Sequence, residues 1–409
     1  MTKVHVVGAG LSGLVAAILA AERGADVTLL ARGRGGLELS HGCIDIWHDG
    51  DLRQELPSIA SGHPYRMIGV DAIEKAVQAF LRIVQPSGLG YLGEFRHPLR
   101  LPTAVGSLRR TNFAPLAQVS DDALGDLPCL IGAIEGFRDF FPAMIRRNLI
   151  ENGFSVEGIV ELPLPGHPAR DVYASDLARL LDREEDAGNV LNAWQRRLAG
   201  AGALRLLLPA VLGLRDAGRL HRKAETIIGM PIQEIPTLPP SMPGLRLEWV
   251  LWRAADAAGV HLVEGPQITS PPDVMAGAGR VEELMAETAA GERRFPADAI
   301  ILATGGILNG GLKALQDGRV VETVFGLPVS GVGLRDEWTA ERMIDRQPFE
   351  RFGVKVDAAL HPVDADGRVL LENVHVIGGL LGGADRISEG SRQGIDLGSA
   401  YRAVEVILG

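Results

Sequence analysis

Gly8-Ala9-Gly10-Leu11-Ser12-Gly13 is the stretch of this sequence best suited to hold a charged ligand. Its glycines have separable uses. Gly8 allows a tight turn, Gly10 lets the backbone approach a phosphate, and Gly13 lets a helix pack closely on a strand. A helix beginning here directs free N–H groups and partial positive charge at phosphate oxygens, and Ser12 adds a hydroxyl. Two further glycine groups lie far along the chain, Thr304-Gly305-Gly306 and Gly378-Gly379 with Gly382-Gly383. One residue of the pattern is missing. Dinucleotide sites usually place Asp or Glu at the end of the second strand, where it accepts hydrogen bonds from the adenosine ribose. Here the chain reads Leu30-Ala31-Arg32. Alanine accepts nothing, whereas Arg32 suits an extra phosphate or the terminal phosphate of a mononucleotide.

Each glycine group needs a strand behind it. Val4, Val6 and Val7 are β-branched and strand-like. Leu14 to Ala21 favours helix, Gly24 is its stop, and Val27 to Leu30 forms a second strand. This order gives the glycine pattern the context it requires. An apolar run from Ala299 to Ala303 enters Thr304-Gly305-Gly306, and Val374 to Ile377 enters Gly378-Gly379 before a helix to the C-terminus. Between these returns, apolar residues at helical spacing predict helices over Asp71 to Val84, Ala174 to Arg183 and Val190 to Leu198. The expected fold is α/β: a Rossmann-like FAD/NAD(P)-binding domain of glutathione-reductase-like type with an inserted α+β cap domain. The nucleotide-binding parts are placed at 1–62, 241–318 and 351–409, the cap at 63–240, and a cap-like insertion at 319–350. Three glycine-rich elements suit an extended flavin site better than a simple nicotinamide domain.

Composition narrows the partners. The chain has 409 residues, 46% of them hydrophobic, and a net charge of −10. Nucleic acid is excluded as an expected partner, and a polybasic membrane contact is unsupported. Two cysteines, Cys43 and Cys129, are too few to hold an iron–sulfur cluster and are expected as reduced thiols. No uninterrupted apolar stretch of about 20 residues suits a membrane span. The chain enters a strand within three residues of its start, which leaves no room for a signal peptide. The expected location is cytoplasmic.

The sequence resembles the B subunit family of anaerobic glycerol-3-phosphate dehydrogenase. "GAGLSGL", "SHGCIDIW", "GSLRRT", "IEGFRDF", "LARLLDREE", "IPTLPPSMPGLRL", "LATGGILNGGL" and "IGGLLGGADRISEGSRQG" follow that family's order over nearly the full length. The proline-rich "PTLPPS" before "GLRL" is the most distinctive, since general flavoproteins have no reason to share it. The resemblance implies a flavoprotein in a complex with a catalytic A subunit, which carries FAD, and an iron–sulfur C subunit that docks at the membrane. Such a complex oxidises sn-glycerol 3-phosphate to dihydroxyacetone phosphate in anaerobic respiration and passes electrons to quinone. The B subunit is assigned FMN, which needs no ribose acid. FAD remains open, because the turn is built for a pyrophosphate.

On this reading Gly8, Gly10, Ser12 and Gly13 surround the cofactor phosphate, with Arg32 to neutralise it. Ser40, His41, Gly42 and Cys43 are expected along the ribityl chain and ring. Thr304 and Gly305, with Gly378, Gly379, Gly382 and Gly383, are expected to reach the cofactor from other sides. Gly379 stands where flavoproteins commonly carry an acid. Glycerol 3-phosphate needs cations and a base near its carbinol proton. Arg109 beside Arg110 and Thr111, or Arg386 with Arg392, are candidates for the phosphate; His41 and His361 are candidate bases. These do not make a complete dehydrogenase site, so a relay of electrons from the partner's FAD is the expected role. A self-sufficient flavin oxidoreductase acting on another small substrate, and a structural partner without cofactor, are the alternatives.

Overall fold

The apolar run Lys3–Val7 forms β1, and the turn after it opens α1 (Leu11–Glu22). Leu11 to Ala20 are all buried, as expected of a helix that is small and apolar all round. In the computed structural model the described residues are 1–48, 50–119, 127–167, 171–201, 205–269, 279–288 and 291–409. They divide into two units, 1–36 with 45–83 and 251–409, and 37–44 with 84–250.

The first unit is built on a five-stranded parallel sheet. After β2 (Asp26–Ala31) and the helix α2 (Val70–Val84), it is completed by β3 (His261–Glu264), β4 (Ala299–Leu302) and β5 (Val374–Val376). The spatial order is β3-β2-β1-β4-β5. Every neighbouring pair is parallel, so all five strands end at one edge, where open α/β sheets bind ligands. Val4, Val6, Leu29, Leu30, Ile300, Ile301 and Leu302 are fully buried. The last helix, α3 (Arg392–Leu408), carries Gly394 and Gly398 where a side chain would strike Tyr65 Oη at 2.1 Å and Ile73 Cγ1 at 2.8 Å. These close approaches explain why 63–83 belongs to this unit, although the sequence assigned it to the cap. Ile73, Ala76, Val77, Phe80 and Val84 form the buried stripe of α2.

The second unit has a four-stranded parallel sheet in the order Ile232–Ile235, Arg205–Pro209, Cys129–Ile134, Val156–Leu162, with short antiparallel ribbons beside it. Trp194, fully buried, centres an aliphatic core with Leu162, Leu177, Leu191 and Leu206. The helices predicted at Ala174 and Val190 are present as Ala174–Leu181 and a longer Glu184–Leu198. Within that unit Glu234 and Arg246 form a buried ion pair, and Arg246 Nε also donates to Gly213 O at 2.8 Å. Burial would raise the Glu234 carboxyl, but Arg246 and the Leu212 N–H outweigh it and hold it below the usual carboxylate range.

The segment 37–44 also belongs to this unit. Ile44 and Phe113 exchange backbone hydrogen bonds at 2.8 and 3.0 Å, and Ser241 N–H donates to Glu38 O at 2.7 Å. The sequence boundary at 62 had grouped it with the nucleotide-binding domain. Its pairing is with residues some 70 and 200 positions away, which no local pattern announces.

Candidate functional site

At the shared strand edge the glycines of the first turn divide as their spacing implies. Gly8 has φ +112°, and a side chain there would meet Ala303 O at 2.3 Å. Gly13 would meet Gly8 O at 1.9 Å. Both are required by packing within the protein. Gly10 differs, since its missing side chain would meet nothing within 4 Å. It caps α1 without any side-chain hydrogen bond, and no acidic residue stands in the first turn. The first N–H groups of the helix are therefore available to an anion. This is the geometry a flavin pyrophosphate or phosphate needs.

Ser12 is buried, and its Oγ fills the space beside Gly378, where a side chain would come within 2.3 Å of it. Its hydroxyl thus supports the last glycine group. Arg32 is exposed just beyond β2.

The other two glycine groups emerge at the same edge. Thr304 follows β4, and its buried Oγ1 has no hydrogen-bond partner among the described residues. Gly305 has φ +79° and packs on Asn309. Gly379 is bare because Arg386 occupies the space: a side chain there would stand 2.9 Å from Arg386 Nη1. The position where flavoproteins commonly carry an acid is closed by a cation. Arg386 Nε is buried and has no hydrogen-bond partner among the described residues. Burial pulls this guanidinium below its ordinary value, with Asp396 acting in the opposite sense and Arg392 reinforcing burial. Asp396 is itself pushed up by burial, against the pull of Arg386 and Arg392. Arg392, the first residue of α3, is exposed. A buried Nε–H left unused on a cation is costly unless an acceptor arrives. A flavin supplies such acceptors in its ring carbonyls and phosphates, so the residues present fit that group. Gly382 and Gly383 face protein atoms instead, Gly353 O at 2.9 Å and Gly62 O at 2.4 Å from their missing side chains.

Except for His361, the remaining candidates lie in the second unit. His41 Nδ1 accepts the Cys43 N–H at 3.0 Å, and Ser40 Oγ accepts the Gly42 N–H at 2.9 Å. Cys43 is buried, and its thiol donates to Gln118 Oε1 at 3.5 Å. Gln118 Nε2 in turn donates to His41 O at 2.8 Å. Tyr91 Oη donates to Gly42 O at 2.8 Å, and burial, then the nearby Cys43, pushes that phenol well above its usual value. Gly42 has φ +76° and packs on Pro243. The loop is thus tied down by hydrogen bonds of its own and by Tyr91 and Gln118 of the same unit. Arg109 and Arg110 lie on the ribbon strand Leu108–Thr111, where Arg110 is exposed and Thr111 Oγ1 is directed to Ile44 O and Phe113 O. In the first unit His361 faces Asp357 Oδ2 at 3.2 Å, a local structural contact. Cys129 is buried in a strand of the second unit. Among the described residues no His/Cys/Asp/Glu group suits a metal ion, and no helix is long and apolar enough to cross a membrane.

Sequence reasoning missed Gly35. With φ +81°, it lies where a side chain would meet Ala9 O at 2.6 Å and Gly10 Cα at 3.1 Å. The glycine-rich "GRGG" after β2 was the available signal.

Residues 3–395 match the family model described as FAD binding domain. The B subunit of anaerobic glycerol-3-phosphate dehydrogenase from Vibrio cholerae is 31% identical over 430 residues, covering 99% of this chain and 96% of its own. The protein of the same name from Pectobacterium atrosepticum is 31% identical over 427 residues, covering 99% of this chain and 98% of its own. Among solved structures, 3-ketosteroid delta1-dehydrogenase from Sterolibacterium denitrificans is 10% identical with a TM-score of 0.45, each chain covered in full. The chain belongs to the family of anaerobic glycerol-3-phosphate dehydrogenase B subunits.

Proposed function

We propose that this chain is the flavoprotein B subunit of a respiratory glycerol-3-phosphate dehydrogenase and that it relays electrons within the complex. The observation that carries the flavin assignment is the open Gly10 at an uncapped helix start, on the same sheet edge as the two other glycine groups. A bound flavin supplies the reversible electron acceptor that no side chain here provides. The protein's part is to bind and orient it. The first turn of α1 offers N–H groups to phosphate, Gly8 and Gly13 hold that turn against β4, and Arg386 offers its buried Nε–H to an acceptor atom.

Oxidation of glycerol 3-phosphate to dihydroxyacetone phosphate needs a base at the carbinol. His41 Nδ1 is already occupied by the Cys43 N–H, and His361 is held by Asp357. The occupied His41 Nδ1 favours the relay role over independent turnover. Arg109, Arg386 and Arg392 remain the candidates for a substrate phosphate. The partners on this reading are an FAD-bearing A subunit and an iron–sulfur C subunit, through which the complex reaches membrane quinone. The chain lies at the cytoplasmic face and touches the membrane only through that partner.

The test is to purify the chain, release its cofactor by denaturation and identify it by chromatography. A flavin should be found, and glycerol 3-phosphate should reduce it only when the A subunit is present. A colourless chain that cannot be reconstituted with flavin would overturn the assignment. Reduction by glycerol 3-phosphate in the isolated chain would favour a self-sufficient dehydrogenase.

A further inference from the structure

The acid missing from the end of β2 is present on the neighbouring strand. β3 pairs with β2 in parallel, and the register sets Glu264 beside Ala31. The Gly265 N–H donates to Ala31 O at 2.8 Å, which fixes the two strand ends together. Register partners in a parallel pair project from the same face of the sheet, about 4.8 Å apart. A glutamate side chain is long enough to span most of that spacing.

The Glu264 carboxylate faces the loop that follows β2. Its Oε1 lies 3.8 Å from Arg34 Nε. Arg34 immediately precedes Gly35, the glycine that abuts Ala9 and Gly10. The Arg34 guanidinium also rests over the Trp252 ring, 5.0 Å from its centroid, which restrains it. The Glu264 side chain remains 44% exposed, so the Arg34 contact leaves room for a ligand.

We propose that Glu264 accepts the adenosine ribose hydroxyls of FAD in place of the absent β2 acid, so that the turn takes the dinucleotide in preference to FMN. This rests on the flavin reading above. It assigns the ribose contact to a residue 233 positions beyond Ala31 in the chain, and it gives the short residue at Ala31 a purpose: a second carboxylate beside Glu264 would repel it.

The test uses the full chain stripped of cofactor and titrated by calorimetry with FAD, FMN, ADP and 2′-deoxy-ADP. The wild type should bind FAD more tightly than FMN and ADP more tightly than its 2′-deoxy analogue. Loss of charge-assisted hydrogen bonds makes Glu264→Ala weaker for FAD and ADP by about ten- to a hundredfold. Its FMN affinity should be unchanged, and it should no longer distinguish ADP from 2′-deoxy-ADP. Arg34→Ala removes the ion pair but keeps the carboxylate, and should preserve that distinction. Thermal melting of both variants reports whether the fold is intact. Wild-type preference for FMN, or an unchanged ADP to 2′-deoxy-ADP ratio in Glu264→Ala, would overturn the proposal while leaving the flavin reading in place. A wild type that takes up neither flavin nor ADP would overturn both.

Discussion

Of the glycines in the first turn, only Gly10 can be changed without disturbing the protein around it. Its backbone is extended, with φ −75° and ψ −174°, which any residue adopts, and the side-chain direction is open. Gly10→Glu should therefore fold normally while presenting a carboxylate where phosphate must approach. Like-charge juxtaposition costs several kcal/mol, so flavin affinity should fall by about a hundredfold or more. Flavin absorbance after gel filtration and a thermal melt would check the two halves of this expectation. Normal flavin content would sink the assignment of the turn. Gly8 offers the contrast: its φ of +112° and the 2.3 Å approach to Ala303 O make any side chain there a folding defect first. Arg386 is the counterpart across the edge, a half-buried cation whose buried Nε has no hydrogen-bond partner among the described residues.

The loop 33–36 shows how an element with no regular structure positions the site. Gly24 and Gly35 have nearly the same φ, +84° and +81°, but Gly24 faces open space and Gly35 faces the phosphate turn. The left-handed conformation alone costs an alanine about 1–2 kcal/mol. Gly24→Ala should lose about that much stability in urea denaturation and leave flavin binding unchanged. Gly35→Ala carries the same backbone cost and must also push Ala9 O from 2.6 Å, which displaces Gly10. It should be the less stable of the two, and its flavin affinity should fall about tenfold, since one charge-assisted contact is worth about 1.5 kcal/mol. Equal flavin affinity in both variants would show that the loop does not brace the turn.

For the whole molecule, the buried histidine of the central sheet sets a pH limit. His375 lies in β5, its Nδ1–H donates to Ala359 O at 2.9 Å, and the His361 ring sits 4.7 Å away. Burial, then the nearby His361, lowers its pKa to about 4, with Ala359 O and Asp357 acting in the opposite sense. The unfolded chain protonates this histidine near its ordinary 6.5, so between the two values the unfolded state binds more protons. Its contribution is fully present above about pH 6.5 and is lost as pH falls towards 4. Between pH 7.5 and 5 the loss amounts to about 2 kcal/mol. His375→Asn, whose amide can still donate to Ala359 O, does not titrate. Urea midpoints across that range should fall more steeply in the wild type than in this variant. Parallel curves would show that His375 does not limit acid stability.

What the sequence determined by itself was local. The glycine spacing, the β-branched run before it and the apolar helix after it demanded a strand-turn-helix, because φ preferences and periodicity act within a few residues. The strands at Ala299 and Val374 were legible for the same reason. Other features depended on residues far apart in the chain. Segment 37–44 pairs with Phe113 and Ser241, so it joined the second unit despite following β2 directly. Even over seven positions the fold decided the outcome: Arg386 folds back over Gly379, and the glycine by itself gave no sign of a cation. The acid at the edge sits on β3 instead of β2, a consequence of strand register that joins Ala31 to Glu264 across the insertion. Register is fixed when two strands bury their shared apolar faces, and that is decided only once the chain has folded.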